Sequence, residues 1–178
     1  AHPLTLDEIE PRTFSFNAPY GACPACDGIG SRLEVDPSLV IPDEDLTLGE
    51  GAVTPWNSHS EYFLRQLSVL GQELGFDLNT PYKDLSEQVK EVILNGRDYK
   101  VTVKYRNRWG RERSYSTGFE GVLGYVKRKY DETESDWSRE RYKGYMREVA
   151  CPTCKGARLR PEVLAVRVGD LNISQLCK

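Results

Sequence analysis

Long apolar runs are missing from this sequence of 178 residues. A membrane-spanning helix needs about 20 consecutive apolar residues, and no segment here approaches that length. The first residues, Ala-His-Pro-Leu-Thr-Leu-Asp-Glu, do not form the basic and then apolar pattern of a secretory signal. We therefore expect a cytoplasmic protein with no membrane partner. Because the chain does not begin with Met, we also expect it to be a piece of a longer protein.

Motifs of catalysis are missing as well. The phosphate-binding pattern Gly-x-x-x-x-Gly-Lys-Ser/Thr does not occur, so we predict that these residues neither bind nor hydrolyse ATP. Histidine is represented only by His2 and His59, which stand alone in the sequence and are expected at the surface. We identify no catalytic residue and predict that this piece is not an enzyme.

Cysteine is scarce but patterned. Four of the five cysteines form two Cys-x-x-Cys pairs, Cys23 with Cys26 and Cys151 with Cys154. The pairs read Cys-Pro-Ala-Cys-Asp-Gly-Ile-Gly and Cys-Pro-Thr-Cys-Lys-Gly-Ala-Arg. Each pattern is typical of a tight turn that directs two thiolates to one point, and the following Gly can adopt positive φ. Two such turns facing each other make a closed site of four sulfurs, which suits one structural Zn²⁺.

These cysteines have other possible uses. A disulfide within each pair is disfavoured in a reducing compartment. A thioredoxin-like redox pair would follow a strand at the start of a helix, and neither pair has that context. An iron–sulfur cluster also accepts four cysteines, but paired turns with a following Gly favour zinc. Cys177 stands alone and is predicted to be a small buried hydrophobe or an exposed thiol.

The charges are segregated along the chain. The net charge is -3, but residues 34–50 contain six acids and no base. Residues 97–129 contain ten bases and three acids, a local net charge of +7. Such an excess can attract a polyanion even when the whole chain is acidic. A solvated hairpin and helix face is an equally good interpretation of the same charges.

Hydrophobic periodicity outlines an α+β chain. The 3.6-residue period predicts helices over 61–74, 86–94, 119–130 and 135–149. Period-two patterns predict strands over 12–17, 31–35, 100–106, 111–117 and 161–168, the third and fourth forming a hairpin. Residues 36–58 are predicted to be a long connection from which Trp56 packs on a core.

The spacing of the cysteine pairs predicts the domain organisation. Cys26 and Cys151 are separated by 124 residues, so one metal ion would join the two ends of a long segment. We expect a small, β-rich, zinc-bearing base made of residues 1–31 and 150–178. Residues 32–149 then form a large inserted α+β domain of helices and a β-hairpin.

Three long segments together resemble the UvrA subunit of bacterial nucleotide excision repair. Residues 10–30 read Glu-Pro-Arg-Thr-Phe-Ser-Phe-Asn-Ala-Pro-Tyr-Gly-Ala-Cys-Pro-Ala-Cys-Asp-Gly-Ile-Gly. Residues 128–135 read Arg-Lys-Tyr-Asp-Glu-Thr-Glu-Ser, and residues 151–166 read Cys-Pro-Thr-Cys-Lys-Gly-Ala-Arg-Leu-Arg-Pro-Glu-Val-Leu-Ala-Val. Because these strings stand at both ends and in the middle, the resemblance covers nearly the whole chain.

The resemblance implies a part of a dimeric ABC-type ATPase that detects bulky DNA lesions and loads UvrB. Cys23, Cys26, Cys151 and Cys154 match the family's four zinc ligands, and the segment between them matches its insertion domain beside the DNA path. His2 falls where relatives carry part of an earlier metal-binding pair, whose other members would lie upstream. The Leu-Ser-Gly-Gly signature and the acidic catalytic strand of the ATPase are not present, so ATP, UvrB and homodimer contacts would belong to other parts of a full-length protein.

The predicted DNA-binding residues are basic positions of the hairpin and the following helix. They are Lys100, Lys104, Arg106, Arg108, Arg111, Arg113, Lys127, Arg128 and Lys129. They would contact double-stranded DNA through its phosphates, independently of sequence. Tyr105, Trp109 and Tyr115 lie among them and either contact nucleobases or pack across the strands, with packing favoured.

Two other functions compete with this one. The Cys-x-x-Cys-x-Gly-x-Gly pattern also resembles the zinc modules of DnaJ-type chaperones, which bind proteins. Those modules have four closely spaced copies, whereas this chain has one full and one partial copy with a domain between them. A thiol oxidoreductase is the third possibility, and it requires free, reactive thiols.

Overall fold

The computed structural model describes residues 10–56, 60–106 and 109–177. His2, His59 and Arg108 lie outside these ranges, so what the sequence predicts for them stays a prediction. Within the described ranges, no helix has the length and apolar character needed to cross a membrane.

The chain divides into two compact units. The first consists of Ala1–Glu34 with Glu148–Lys178, and the second is Val35–Arg147. Both contain helices and two-stranded sheets, which makes the fold α+β as predicted.

Short elements and turns make up the first unit. Its elements are a 3₁₀ turn at Pro11–Phe14 and β1 (Ser31–Val35), β4 (Met146–Ala150), α6 (Pro161–Leu164), β5 (Arg167–Val168), β6 (Leu171–Asn172) and α7 (Ile173–Leu176). β1 pairs with β4 and β5 pairs with β6, and the boundaries between the two units fall inside β1 and β4. The clustered core of its described residues consists of the four paired cysteines, with Ala157 packed against them.

Longer helices and a hairpin make up the second unit. They are α1 (Pro37–Val40), α2 (Glu61–Leu74), α3 (Glu87–Asn95), β2 (Arg97–Arg106), β3 (Glu112–Phe119), α4 (Gly121–Glu132) and α5 (Asp136–Lys143). A short 3₁₀ turn at Tyr82–Asp84 precedes α3. The most deeply buried side chains come from several of these elements and include Val40, Leu70, Ile93, Val101, Val103, Val122 and Val126. Trp56 joins this core with 5% of its surface exposed, as predicted.

The predicted ends of α2 and α3 are confirmed. Gly75 follows α2 with φ 74°, the left-handed conformation that closes a helix at little cost in glycine. Ser86 precedes α3, and its hydroxyl accepts a hydrogen bond from the Val89 N–H at 3.4 Å. α3 buries Val89, Val92 and Ile93, the face that its periodicity predicts.

The hairpin is also confirmed and is longer than predicted. β2 and β3 are antiparallel, with Val103 opposite Tyr115 and Lys104 opposite Ser114. Because side chains alternate along a strand, Val101 and Val103 point into the core and are at most 1% exposed. Lys104 and its same-face neighbours point outward.

Three predicted elements are wrong. Residues 12–17 do not form a strand, because Pro11 starts a 3₁₀ turn that Glu10 and Thr13 cap reciprocally. The helix predicted over 135–149 ends at Lys143, and the residues after it form β4, because β1 supplies a strand partner that periodicity cannot reveal.

The third wrong element is the strand over 161–168. Pro161 instead begins the helical turn α6, in which the Leu164 N–H donates to the Arg160 carbonyl at 3.1 Å. Proline fits the first position of a helix because it has no N–H to leave unpaired. Only Arg167 and Val168 of the predicted strand are extended. The connection predicted over 36–58 also contains a helical turn, α1.

Two glycines let the backbone cross itself where the hairpin joins α3 and α4. Gly96 has φ 82°, and a Cβ there would lie 2.3 Å from the Phe119 carbonyl oxygen. Gly121 has φ 71°, and a Cβ there would lie 2.3 Å from the Gly96 nitrogen. Each position therefore excludes a side chain both by its conformation and by contact with rigid backbone.

We predict that Gly121→Ala lowers the free energy of unfolding by about 3 kcal/mol, since the new methyl group would force backbone apart in a packed region. Urea denaturation of the chain followed by circular dichroism measures this loss. Gly118→Ala is the matched control, because a Cβ at Gly118 meets nothing within 4 Å. Equal stability of the Gly121→Ala variant and the unchanged chain would contradict the crossing.

Candidate metal centre and nucleic-acid interface

The structure brings the two cysteine pairs together. The sulfur atoms of Cys23, Cys26, Cys151 and Cys154 all lie within 4.8 Å of one another. All four residues are buried, with at most 7% of their surface exposed. Cys177 is exposed and is not a member of the cluster.

The turns that carry the two pairs repeat the same backbone conformation. Asp27 and Lys155, which follow the second cysteine of each pair, have φ values of 48° and 51°. The next residues, Gly28 and Gly156, have φ values of 76° and 87°, as the sequence predicts for these glycines. This repeated conformation makes the two turns local structural copies.

Backbone N–H groups point at the sulfurs and favour the thiolate form. The Gly30 N–H donates to the Cys26 Sγ at 3.2 Å. The backbone N–H groups of Cys154 and Thr153 lower the pKa of the Cys151 thiol to about 6. Burial has the opposite effect and raises the pKa of the Cys23 thiol to about 11. A cation would offset that desolvation, because buried thiolates need a partner of opposite charge.

Hydrogen bonds between the turns hold the cluster in place. The Cys23 N–H donates to the Arg158 carbonyl at 2.8 Å, and the Cys151 N–H donates to the Gly30 carbonyl at 2.9 Å. The Arg160 guanidinium donates to the carbonyls of Pro19 and Ala22 at 2.9 and 3.3 Å. Each turn is thus hydrogen-bonded to the other through backbone groups, and the Cys26 and Cys154 sulfurs lie next to each other. Sequence reasoning missed the roles of Arg158 and Arg160 in joining the turns. One signal was visible, since Arg158 stands in the second pattern at the position that Gly30 has in the first.

The donor set fits a tetrahedral metal ion such as Zn²⁺. Four sulfurs about 2.3 Å from zinc stand about 3.8 Å apart. The Cys26 and Cys154 sulfurs are 3.7 Å apart. That distance is far longer than the S–S bond of a disulfide, which is about 2.05 Å. Four buried thiolates also fill the coordination sphere, so such a site would have no open position for catalysis.

Replacing Cys151 by Ser should destabilise the first unit strongly and reduce the bound metal to less than one ion per chain. The reason is that three sulfurs remain and the core of this unit is the cysteine cluster itself. Metal analysis and thermal unfolding with and without a chelator measure both effects. Cys177→Ser is the control, since it removes a thiol outside the cluster. A purified chain that contains no metal, or a Cys151→Ser chain as stable as the control, would contradict this prediction.

The outward face of the hairpin carries the densest part of the basic segment. Lys100, Lys104 and Arg106 alternate along β2 and are exposed. Opposite them in β3 stand Gly118, Ser114 and Glu112. Arg106 pairs with Glu112 at 3.3 Å, but both side chains remain at least 75% exposed.

The other predicted DNA-binding residues are divided. Arg113 stands opposite Tyr105 on the other face of the hairpin, and Arg111 is exposed just before β3. On α4, Lys127 is exposed, whereas the Lys129 amine lies 6.0 Å from the centre of the Tyr125 ring.

Arg128 is held by two carboxylates. Its guanidinium donates to Glu120 at 2.9 and 2.5 Å and to Glu132 at 3.2 Å. These hydrogen bonds raise the pKa of Arg128 above its ordinary value. Its charge is therefore neutralised locally, and Arg128 connects the start and the end of α4.

The tyrosines of the hairpin belong to an aromatic cluster. The Tyr105 and Tyr115 rings are 6.0 Å apart, and Tyr115 stacks on Tyr62 of α2 at 6.1 Å. The Arg65 guanidinium, which sequence reasoning missed, covers the Tyr105 ring at 4.4 Å. Tyr105 and Tyr115 therefore pack against other side chains, which is the alternative that the sequence favoured. Trp109, in contrast, is 70% exposed.

Comparison with known proteins identifies the class of the second unit. A family model described as the UvrA DNA-binding domain matches residues 36–144. UvrABC system protein A of Micrococcus luteus is 60% identical over 176 residues, which cover 97% of this chain and 18% of that protein. UvrABC system protein A of Mycobacterium bovis is 52% identical over 187 residues, which cover 99% of this chain and 19% of that protein.

A solved structure agrees with these matches. The crystal structure of UvrA2 from Deinococcus radiodurans superposes with a TM-score of 0.72 and 30% identity, and covers 99% of this chain and 23% of that one. Residues 36–144 thus form a DNA-binding domain of the UvrA type. The chain belongs to the UvrA family. It spans 18% and 19% of the length of the two relatives named above.

Proposed function

We propose that this chain is the DNA-contacting, zinc-stabilised part of a DNA-damage-recognition protein of nucleotide excision repair. The observation that carries this proposal is the exposed basic face of β2 within the segment that matches the UvrA DNA-binding domain. In this arrangement residues 1–31 and 150–178 are a base, and residues 32–149 are inserted into it. A cytoplasmic location remains a prediction from the sequence.

In the proposed base, Cys23, Cys26, Cys151 and Cys154 hold one structural Zn²⁺. Support comes from the burial of the four cysteines, the 3.7 Å between two of their sulfurs and the N–H groups directed at sulfur. When bound, the ion supplies charge compensation for four thiolates. The chain's own residues hold the two turns together, because the carbonyls of Gly30 and Arg158 accept hydrogen bonds from the opposite turn.

In the proposed interface, the hairpin contacts the DNA backbone. Lysine and arginine side chains reach phosphate oxygens, and the small side chains of Ser114, Ser116 and Gly118 across the ladder leave the face open. Few carboxylates would repel the phosphates. Among the described outward residues of β2 and β3, Glu112 is the one carboxylate, and it stands in the pair nearest the turn of the hairpin. Contacts with phosphates do not depend on the base sequence, which suits a protein that must examine DNA of any sequence.

The remaining activities of the proposed full-length protein lie in other segments. We propose that ATP binding, UvrB loading and homodimer formation are functions of the residues that relatives have beyond this chain. The absence of a phosphate loop from the sequence supports this division.

Neutralising Lys100, Lys104 and Arg106 together by Gln should weaken binding to duplex DNA roughly tenfold or more at low salt. The slope of log affinity against log salt should also become shallower by up to about 3, because about 0.9 counterions are released per phosphate contact. Fluorescence anisotropy with a labelled duplex over a salt series measures both quantities.

A matched control removes the same charge from three ion-paired cations that lie outside the hairpin. Arg32, Lys83 and Lys143 are paired with Glu34, Asp45 and Glu140 respectively. Their replacement by Gln should leave the salt slope nearly unchanged. If the two triple variants weaken binding equally, net charge and not the hairpin face is responsible, and the proposed interface is wrong.

A further inference from the structure

A small cavity lies in the second unit where α2, the end of β3 and α4 meet. Its volume is 60 Å³, and aromatic rings of Tyr62, Phe63, Phe119 and Tyr125 form much of its wall. Trp56, Gln66, Glu120 and Arg128 also line it. The cavity is separate from the cysteine cluster, and Gly118 of the hairpin also lines it.

Two polar groups in its wall have no hydrogen-bond partner among the described residues. They are the Trp56 Nε1–H and the Gln66 Nε2–H₂. The Tyr115 hydroxyl is also without a hydrogen bond and lies beside the Gln66 amide, which has a second N–H free for the cavity. Trp56 is 5% exposed and Gln66 is 3% exposed, the latter being the one buried polar residue in the described core. A buried donor left unpaired costs stability, and folded proteins pair the great majority of such groups with protein or with bound water.

The size of the cavity limits what can pair with these donors. Pockets for small organic molecules have volumes of about 300 Å³ or more. One water needs about 15 Å³ of such volume, so this cavity has room for water and not for a nucleobase.

The charge around the cavity disfavours an anion. Arg128 is the cation in the wall, but it is shared between the carboxylates of Glu120 and Glu132. The three groups together carry a net negative charge. The two unpaired donors are neutral, so a neutral acceptor fits them best.

We propose that this cavity is a binding site for one or more ordered water molecules. The water oxygen accepts hydrogen bonds from Trp56 Nε1–H and Gln66 Nε2–H. One water hydrogen is donated to the Glu120 carboxylate, which lines the same cavity. The hydrated site then joins Trp56, α2 and the β3–α4 junction through polar contacts in an otherwise aromatic region.

The test is to count long-lived internal water and to locate it. Magnetic relaxation dispersion of water oxygen-17 on the full chain counts waters that exchange slowly, and a crystal structure at high resolution shows their positions. We expect density between Trp56 Nε1 and Gln66 Nε2. Trp56→Phe and Gln66→Met should each lower the count, and Gln66→Met should shift the denaturation midpoint to lower urea.

Val53→Ala is the control for lost packing. Val53 is 3% exposed and lines a separate small apolar void beside Trp56. This variant should lose stability without changing the count, because an apolar cavity stays dry. The inference is overturned if the space is dry or holds an anion, or if Gln66→Met raises the midpoint, as removal of an unsatisfied amide would.

Discussion

Four sulfur atoms within 4.8 Å of one another impose the main constraint on this chain. Their burial is unfavourable unless a cation compensates the thiolates, and the first unit has no other clustered core among its described residues. The backbone N–H groups of Cys23 and Cys151 donate to the opposite turn, so these hydrogen bonds form only when the two turns meet. In the proposed zinc-bound state, metal binding and folding of this unit would therefore be one process.

The second unit is organised differently, by hydrophobic packing and by the separation of hairpin faces. Val101 and Val103 anchor one face in the core, while alternation along the strand directs Lys100, Lys104 and Arg106 to solvent. The aromatic cluster around Tyr62, Tyr105 and Tyr115 keeps the hairpin's rings on its inner face. The charge that the sequence concentrates in one segment is thus divided by the fold into exposed cations and cations used in packing, such as Arg128.

Much of this could be predicted from the sequence, for reasons that differ by element. α2, α3 and the hairpin have a strong hydrophobic periodicity, and residues such as Ser86 and Gly75 mark the helix ends. Their positions are therefore determined by residues close in sequence. The cysteine cluster was predictable because repeated Cys-x-x-Cys turns have few other uses. β4 was not predictable, since its residues have a helix-like apolar pattern and become a strand only because β1 is available to pair. The contact of Arg65 with the Tyr105 ring was also invisible, because it joins side chains that are 40 residues apart in sequence.

The distance in sequence between the two cysteine turns has a consequence for synthesis on the ribosome. Cys26 and Cys151 are separated by 124 residues. At about 5–20 residues per second, the second pair of thiolates is made roughly 6–25 s after the first. During that interval the proposed zinc site would have only two of its four sulfurs, while the whole of the intervening segment becomes available to fold. Synthesis thus makes the apolar residues of the middle segment available before the last two sulfurs, so the proposed metal ion would complete the first unit last.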